Sequence, residues 1–192
     1  MKFQKLTIKN IASIENAEIN FDAEPLSNSG IFLITGKTGS GKSTILDCIC
    51  LALYGITPRL KNTNIQGVTI DLDKEVSVND PRVLMRRNTS ESYVCLTFIG
   101  NDKNSYQAEW SCRRANGKID GKLQDKKRCL TNLTKNFTYS KLDEIVPEIK
   151  RIIGLDFEQF LRTVMLSQGE FTRFLNSKDN EKAEILEKLT GV

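Results

Sequence analysis

Read by its apolar positions, the chain opens with a strand rhythm and then switches to a helical one. Phe3, Leu6 and Ile8, followed by Ala17, Ile19 and Phe21, predict two strands with one buried face. Asn10 and the polar residues 13–16 lie between them, which predicts a hairpin. Residues 25–30 read as a loop. Ile31, Phe32, Leu33 and Ile34 then form an apolar run with no polar face, the pattern of a central strand covered on both sides. A glycine-rich segment follows. After it, Ile45, Leu46, Ile49, Cys50 and Leu53 recur at helical spacing, with Gly55 as the stop and Pro58 just beyond.

Residues 59–82 are polar with few periodic positions and read as a long irregular excursion. Two β-rich runs, 93–99 and 106–112, joined by 100–105, predict a second hairpin. Residues 116–127 are polar, carry two glycines and read as loop. Ile145, Ile149, Ile152 and Ile153 predict a helix over 142–153 that Gly154 ends. A shorter helix over 157–165 has Phe160, Leu161 and Val164 as its apolar side. Residues 167–171 interrupt the pattern. From Ser177 onward Ala183, Leu186 and Leu189 mark an exposed helix that reaches Val192 without a terminating cap, as expected of a fragment whose helix continues in a longer parent. Strands interleaved with helices place the chain in the α/β class.

Composition narrows the functional classes. Hydrophobic and charged fractions are ordinary for a globular chain. No apolar stretch reaches the roughly 18 residues of a membrane span, so no membrane partner is expected. The start, MKFQKLTIKN, lacks the apolar segment of a secretory signal. The five cysteines show no CxxC spacing and there is no histidine, which argues against a zinc site or a disulfide framework and for a cytoplasmic protein. Net charge is only +4, but between Arg82 and Arg128 eleven Lys or Arg stand against five Asp or Glu. Arg86, Arg87, Arg113, Arg114, Lys126 and Lys127 are, as a group, the candidate contacts to an acidic polymer such as DNA. The competing reading is solvated loop charge. Trp110, in the second hairpin, reads as packing rather than as a base-stacking platform.

The glycine-rich segment carries the chemistry. Gly36, Lys37, Thr38, Gly39, Ser40, Gly41, Lys42 and Ser43 fit G-x-x-x-x-G-K-[ST] at every fixed position, between an apolar run and a helical pattern. Glycines let the backbone curl so that successive N–H groups point inward at phosphates. The new helix adds its positive end. Lys42 is the residue that reaches β- and γ-phosphates, the Ser43 hydroxyl supplies a Mg²⁺ position, and Thr44 opens the helix near the α-phosphate. The loop alone does not choose between ATP and GTP, nor does it say that turnover occurs.

Three stretches in order, FQKLTIKNIASIENAEINF, the phosphate loop, and RTVMLSQGEFTRFLNSKDNEKAEILEKLTG, resemble the SbcC family, the ATPase subunits of bacterial SbcCD nucleases and relatives of SMC-like break-repair ATPases. The resemblance is specific at both ends of the chain, and the middle, 57–140, matches only in kind. It implies an ABC/SMC-type P-loop head split into two lobes. Residues 1–176 correspond to the N-terminal lobe, with a mixed sheet and an antiparallel subregion, and 177–192 to the start of a long coiled coil. A C-terminal lobe of the same protein carries the signature motif, the Walker B aspartate and the catalytic glutamate. Two heads in a homodimer sandwich two ATP molecules, and the DNA is cut by an SbcD-type nuclease partner.

On these residues the resemblance implies that Gln168 is the Q-loop amide, ligating Mg²⁺ and sensing the attacking water, and that Asn10 lies near the nucleotide. Lys42 and Gln168 are therefore the candidate catalytic residues. Ser43 and Gln168 are the candidate metal ligands, and Asn10 with 36–44 the candidate ATP contacts. Relatives often carry an arginine close to the phosphates where this chain has Ala12. Glu170 reads as local structure rather than as a base. No apolar strand ends in Asp-Glu, and LSQGE takes the place of the Q-loop rather than of a signature motif. Hydrolysis therefore needs groups from outside the chain. Two other readings are the head lobe of another SMC, RecF or RecN type ATPase and a stand-alone nucleotide kinase with Arg86, Arg87, Arg113 and Arg114 as an arginine lid.

Overall fold

The computed structural model describes residues 1–61, 68–71, 74–77 and 79–164. Gln168, Glu170 and the helix expected over 177–192 lie outside the described residues. The framework is a six-stranded sheet in the order β2-β1-β5-β6-β7-β8, antiparallel throughout. Its strands are β1 (Lys2–Ile11), β2 (Ile14–Asn20), β5 (Glu91–Ile99), β6 (Ser105–Arg113), β7 (Lys127–Asn132) and β8 (Phe137–Tyr139). A separate two-stranded hairpin, β3 (Val68–Asp71) with β4 (Lys74–Val76), occupies part of the segment read as irregular. Among the described residues, no helix is long and apolar enough to cross a membrane.

Alternation decides which face of the sheet is inside. Leu6 and Ile8 of β1, Val94, Leu96 and Phe98 of β5, Tyr106, Ala108 and Trp110 of β6, and Leu130 of β7 are all buried. Each of the Leu, Ile, Val and Phe side chains among them contributes about 1.5–3 kcal/mol on leaving water. Trp110 is fully buried, as its packing role requires. The opposite face is polar. There Glu109 accepts hydrogen bonds from the Tyr93 hydroxyl, from Gln107 Nε2 at 2.7 Å and from Cys129 Sγ at 2.9 Å. Burial works to raise its pKa, but these three donors outweigh burial and hold it below the usual carboxylate range.

Helix α1 (Lys42–Tyr54) lies across the inner face against β1, β5 and β6. Its residues from Asp47 to Leu53 are all buried, so it is covered on every side rather than on one stripe. Gly55 ends it at φ 71°, donating its N–H to Leu51 O. The short helix α2 (Pro58–Lys61) follows and is tied back by an ion pair of 2.7 Å from Arg59 to the buried Asp47. The other side of α1 is covered by α3 (Leu142–Ile153) and α4 (Phe157–Thr163). Ile145, Ile149, Ile152 and Ile153 face inward as the spacing predicts, and Tyr54 packs its ring against Phe157 and Phe160. Gly154 ends α3 at φ 78°. Val164, expected on the apolar side of α4, is exposed.

The expectation at 31–34 is corrected. The apolar run at 31–34 is not a buried central strand. Ile31 is 90 % and Leu33 87 % exposed, and only Phe32 turns inward, its ring 5.2 Å from that of Phe21. A strand covered on both sides needs hydrogen-bonded neighbours on both edges, and no described strand pairs with this segment. The loop read over 116–127 is followed by an unexpected third hairpin, β7–β8. Its strands are short and carry Lys127, Arg128 and Asn132, which obscures the alternation.

Candidate functional site

The glycine loop joins the exposed segment 31–34 to α1. Gly36, Gly39 and Gly41 have φ of 154°, 82° and 93°, conformations that L side chains rarely adopt. Gly41 is the N-cap of α1, and no side chain caps that end. The first turn holds no acidic residue. Its backbone N–H groups are thus left without intrahelical or side-chain acceptors at the positive end of a 13-residue helix, the arrangement that receives an anion. Lys42 Nζ donates 2.7 Å hydrogen bonds to the carbonyls of Gly36 and Lys37, closing the loop on itself. An ammonium has three protons, so one remains for an anion in the curl. Ser43 is exposed on the loop's rim, and Thr44 is buried.

The tip of the first hairpin packs beneath this loop. A Cβ on Gly41 would lie 3.3 Å from Ile14 Cγ1 and 3.4 Å from Ser13 Oγ. That tip is pinned from a distant segment. Ala12 N–H donates to Leu84 O at 2.7 Å and Arg86 N–H to Asn10 O at 2.9 Å. The Arg86 guanidinium donates to the carbonyls of Ala12 and Ser13 at 3.2 and 2.9 Å. Asn10, at φ 54°, spends its side-chain amide on Glu91 O at 3.0 Å. It braces β1 against β5 while standing at the base of the hairpin tip.

The six basic candidates do not share one environment. Arg113 and Lys127 line an open groove on the polar face with Lys9, Tyr93, Ser111 and Gln124. Arg86 is engaged at the hairpin tip, and Arg114 Nη1 donates to Gly121 O at 3.0 Å. Lys126 lies 3.7 Å from Asp80, which also accepts from Arg82 Nη2 at 2.8 Å. Arg87 is exposed. The four arginines of an expected lid are therefore spread over different surroundings, and two of them hold main-chain carbonyls.

Two charged residues unmarked by any motif also touch the site's helix. Asp47 is buried one turn into α1. Burial pushes its carboxyl pKa up, opposed by the Arg59 guanidinium. Arg128 reaches inward from β7 and donates through Nη2 to Leu53 O at 2.8 Å. Reading β7 by alternation, with Arg128, Leu130 and Asn132 on one side, is the signal that points Arg128 inward.

Sequence comparison gives the chain's family. Residues 5–191 match the AAA domain family. Over 193 residues the chain is 43 % identical to the SbcC component of the SbcCD nuclease of Pseudomonas aeruginosa, covering 99 % of this chain and 16 % of that protein. It is 39 % identical to the SbcC component of the SbcCD nuclease of Rhodobacter capsulatus, covering 100 % of this chain and 16 % of that protein. The chain thus spans about a sixth of the length of these curated relatives. Among solved structures, the recombination mediator protein RecF with ATP overlays 91 % of this chain and 36 % of its own, at a TM-score of 0.49 and 15 % identity.

Proposed function

We propose, from the premise that this chain belongs to the AAA domain family, that it is the ATP-binding N-terminal half of an SbcC-type DNA-repair ATPase head. The observation that carries the reading is the uncapped N-terminus of α1, preceded by three positive-φ glycines and closed by Lys42. Similarity to SbcC proteins over nearly the whole chain supports the choice of ATPase class.

The residues present fit Mg·ATP. Backbone N–H groups of 36–44 would cradle the phosphates, and the third proton of Lys42 would face the β- and γ-oxygens. The Ser43 hydroxyl, with Gln168, would hold Mg²⁺, which when bound screens phosphate charge. Lys42 and the loop bind and orient; they supply no base that takes a proton from water. A base and a second set of phosphate contacts would come from the C-terminal lobe and from a second head. The exposed Ile31 and Leu33 support this division, since an exposed apolar segment next to the site fits against another lobe. In the cytoplasm, ATP would bias the engagement of two heads and thereby the access of DNA to an SbcD-type nuclease.

The test is direct. The 192-residue chain should bind ATP and show negligible steady-state turnover, Lys42→Ala should lose the binding, and a chain carrying the C-terminal lobe as well should hydrolyse. Robust turnover by the 192 residues alone would sink the split-site reading.

A further inference from the structure

We infer that Arg128 is a positioning residue of the nucleotide site: from β7 its guanidinium caps the C-terminal end of the phosphate-loop helix and holds that helix in place. The inference rests on the ATP-binding reading of the loop at the helix's other end.

The contact is specific. Arg128 Nη2 donates to Leu53 O, in the last turn of α1, at 2.8 Å. Its Cδ, Nε and Nη1 each come within 2.9 Å of where a Cβ on Gly55 would stand. A side chain at 55 would displace the guanidinium, so the helix ends in glycine both for its φ of 71° and for this approach. The helix has no basic residue of its own in the last turn. A strand residue supplies the cation that the negative end of the helix dipole attracts.

The same contact is costly. Arg128 Nε is buried with no hydrogen-bond partner. None of the ion pairs among the described residues includes Arg128, and burial pushes its pKa down to about 10. Replacing a buried charge by an apolar side chain of similar volume is often neutral or stabilising. If Arg128 served only to fill space between β7 and α1, methionine would serve better. What methionine cannot do is hold Leu53 O and complement the dipole. A 13-residue helix is a rod about 20 Å long. A tilt at its C-terminal end moves the N–H groups of its first turn, where displacements of about 1 Å are felt strongly.

The experiment uses the intact protein. Thermal unfolding and titration with a fluorescent ATP analogue plus Mg²⁺ are measured for wild type, Arg128→Met, Arg128→Lys and, as a loss-of-binding control, Lys42→Ala. Arg128→Met should melt at or above the wild-type temperature yet bind the nucleotide about tenfold more weakly. Arg128→Lys, which keeps a cation but not the fork, should fall between. Wild-type affinity in Arg128→Met overturns the inference, and so does an affinity loss matched by a lower melting temperature, the mark of a merely structural residue. Should Arg128→Met fail to fold, Arg128→Lys decides: affinity below wild type at an unchanged melting temperature supports the inference, and wild-type affinity overturns it. A wild-type protein that binds no nucleotide overturns the ATP reading itself, and this inference with it.

Discussion

Substituting Gly41 with alanine tests whether the curl of the phosphate loop is a requirement or an accident of sequence. Gly41 has φ 93° and ψ 5° and is the N-cap of α1. Placing an L side chain in a left-handed conformation costs about 1–2 kcal/mol. The added Cβ would also sit 3.3 Å from Ile14 Cγ1, close enough that the hairpin tip must yield slightly. In folding, alanine recovers about 0.4–1 kcal/mol by restricting the unfolded chain. If the loop keeps its shape, the net loss of stability from these two effects is then roughly 0–1.6 kcal/mol, with the Cβ contact adding to it. If instead the loop relaxes, the strain leaves the folding equilibrium and appears in ligand binding, because the N–H groups no longer converge. Full transfer of about 1–2 kcal/mol to binding is an affinity loss of about 5- to 30-fold. Denaturant unfolding and ATP titration on the same preparation therefore bracket the strain between them. Gly39→Ala is the comparison, since Gly39 has φ 82° but nothing within 4 Å of an added Cβ. It should show the torsional part alone and a smaller total. The reasoning is refuted if Gly41→Ala matches wild type in both stability and affinity.

Three further outcomes are expected. Asp156 and Gln159 form a reciprocal capping box at α4, at 3.0 and 3.1 Å. Asp156→Ala should lower stability by about 1 kcal/mol in denaturant unfolding, and an unchanged midpoint would count against the cap. Burial works to raise the pKa of Asp80, but hydrogen bonds from Arg82 and the nearby charge of Lys126 outweigh it, so its folded pKa lies below the ordinary value near 4. Its contribution is then fully present above about pH 4 and is lost as pH falls through the folded pKa. Asp80→Asn should flatten that part of a melting-temperature profile as pH falls below about 4, and identical profiles would refute the assignment. Burial first, and the Glu109 carboxylate beside it second, push the Cys129 thiol up to about 12. Alkylation of Cys129 at about pH 8 should be far slower than that of a free thiol and should quicken in Glu109→Gln, whereas wild-type labelling at the free-thiol rate would contradict the network.

What could be read from sequence was what depends on near neighbours along the chain. The phosphate loop is one such feature, because its conformation comes from glycines a few residues apart and its polarity from the helix that follows. Helix α3 is another: four isoleucines at helical spacing and a terminal glycine suffice for its bounds. The first two hairpins were legible because their alternation is long. The third was not, since β7 and β8 are six and three residues long and mix charge into the inward positions. The run at 31–34 shows the converse limit. Its apolar character was plain, but burial of a strand depends on which strands pair with it, and pairing partners are not a property of the run.

Charge divides most sharply between the two levels. The sequence by itself determined that a cluster of arginines and lysines lies between Arg82 and Arg128, and that Lys42 stands at the lysine position of a G-x-x-x-x-G-K-[ST] pattern. Only the tertiary structure decided what each cation does. Arg86 bonds the carbonyls of the hairpin tip beneath the loop, Arg113 and Lys127 face an open groove, and Arg128 turns inward to the end of α1. The reason is physical. A guanidinium acts through the acceptor it reaches within about 3 Å. For Arg86 and Arg128 that acceptor stands 73 to 75 residues away along the chain, brought close only when the sheet forms.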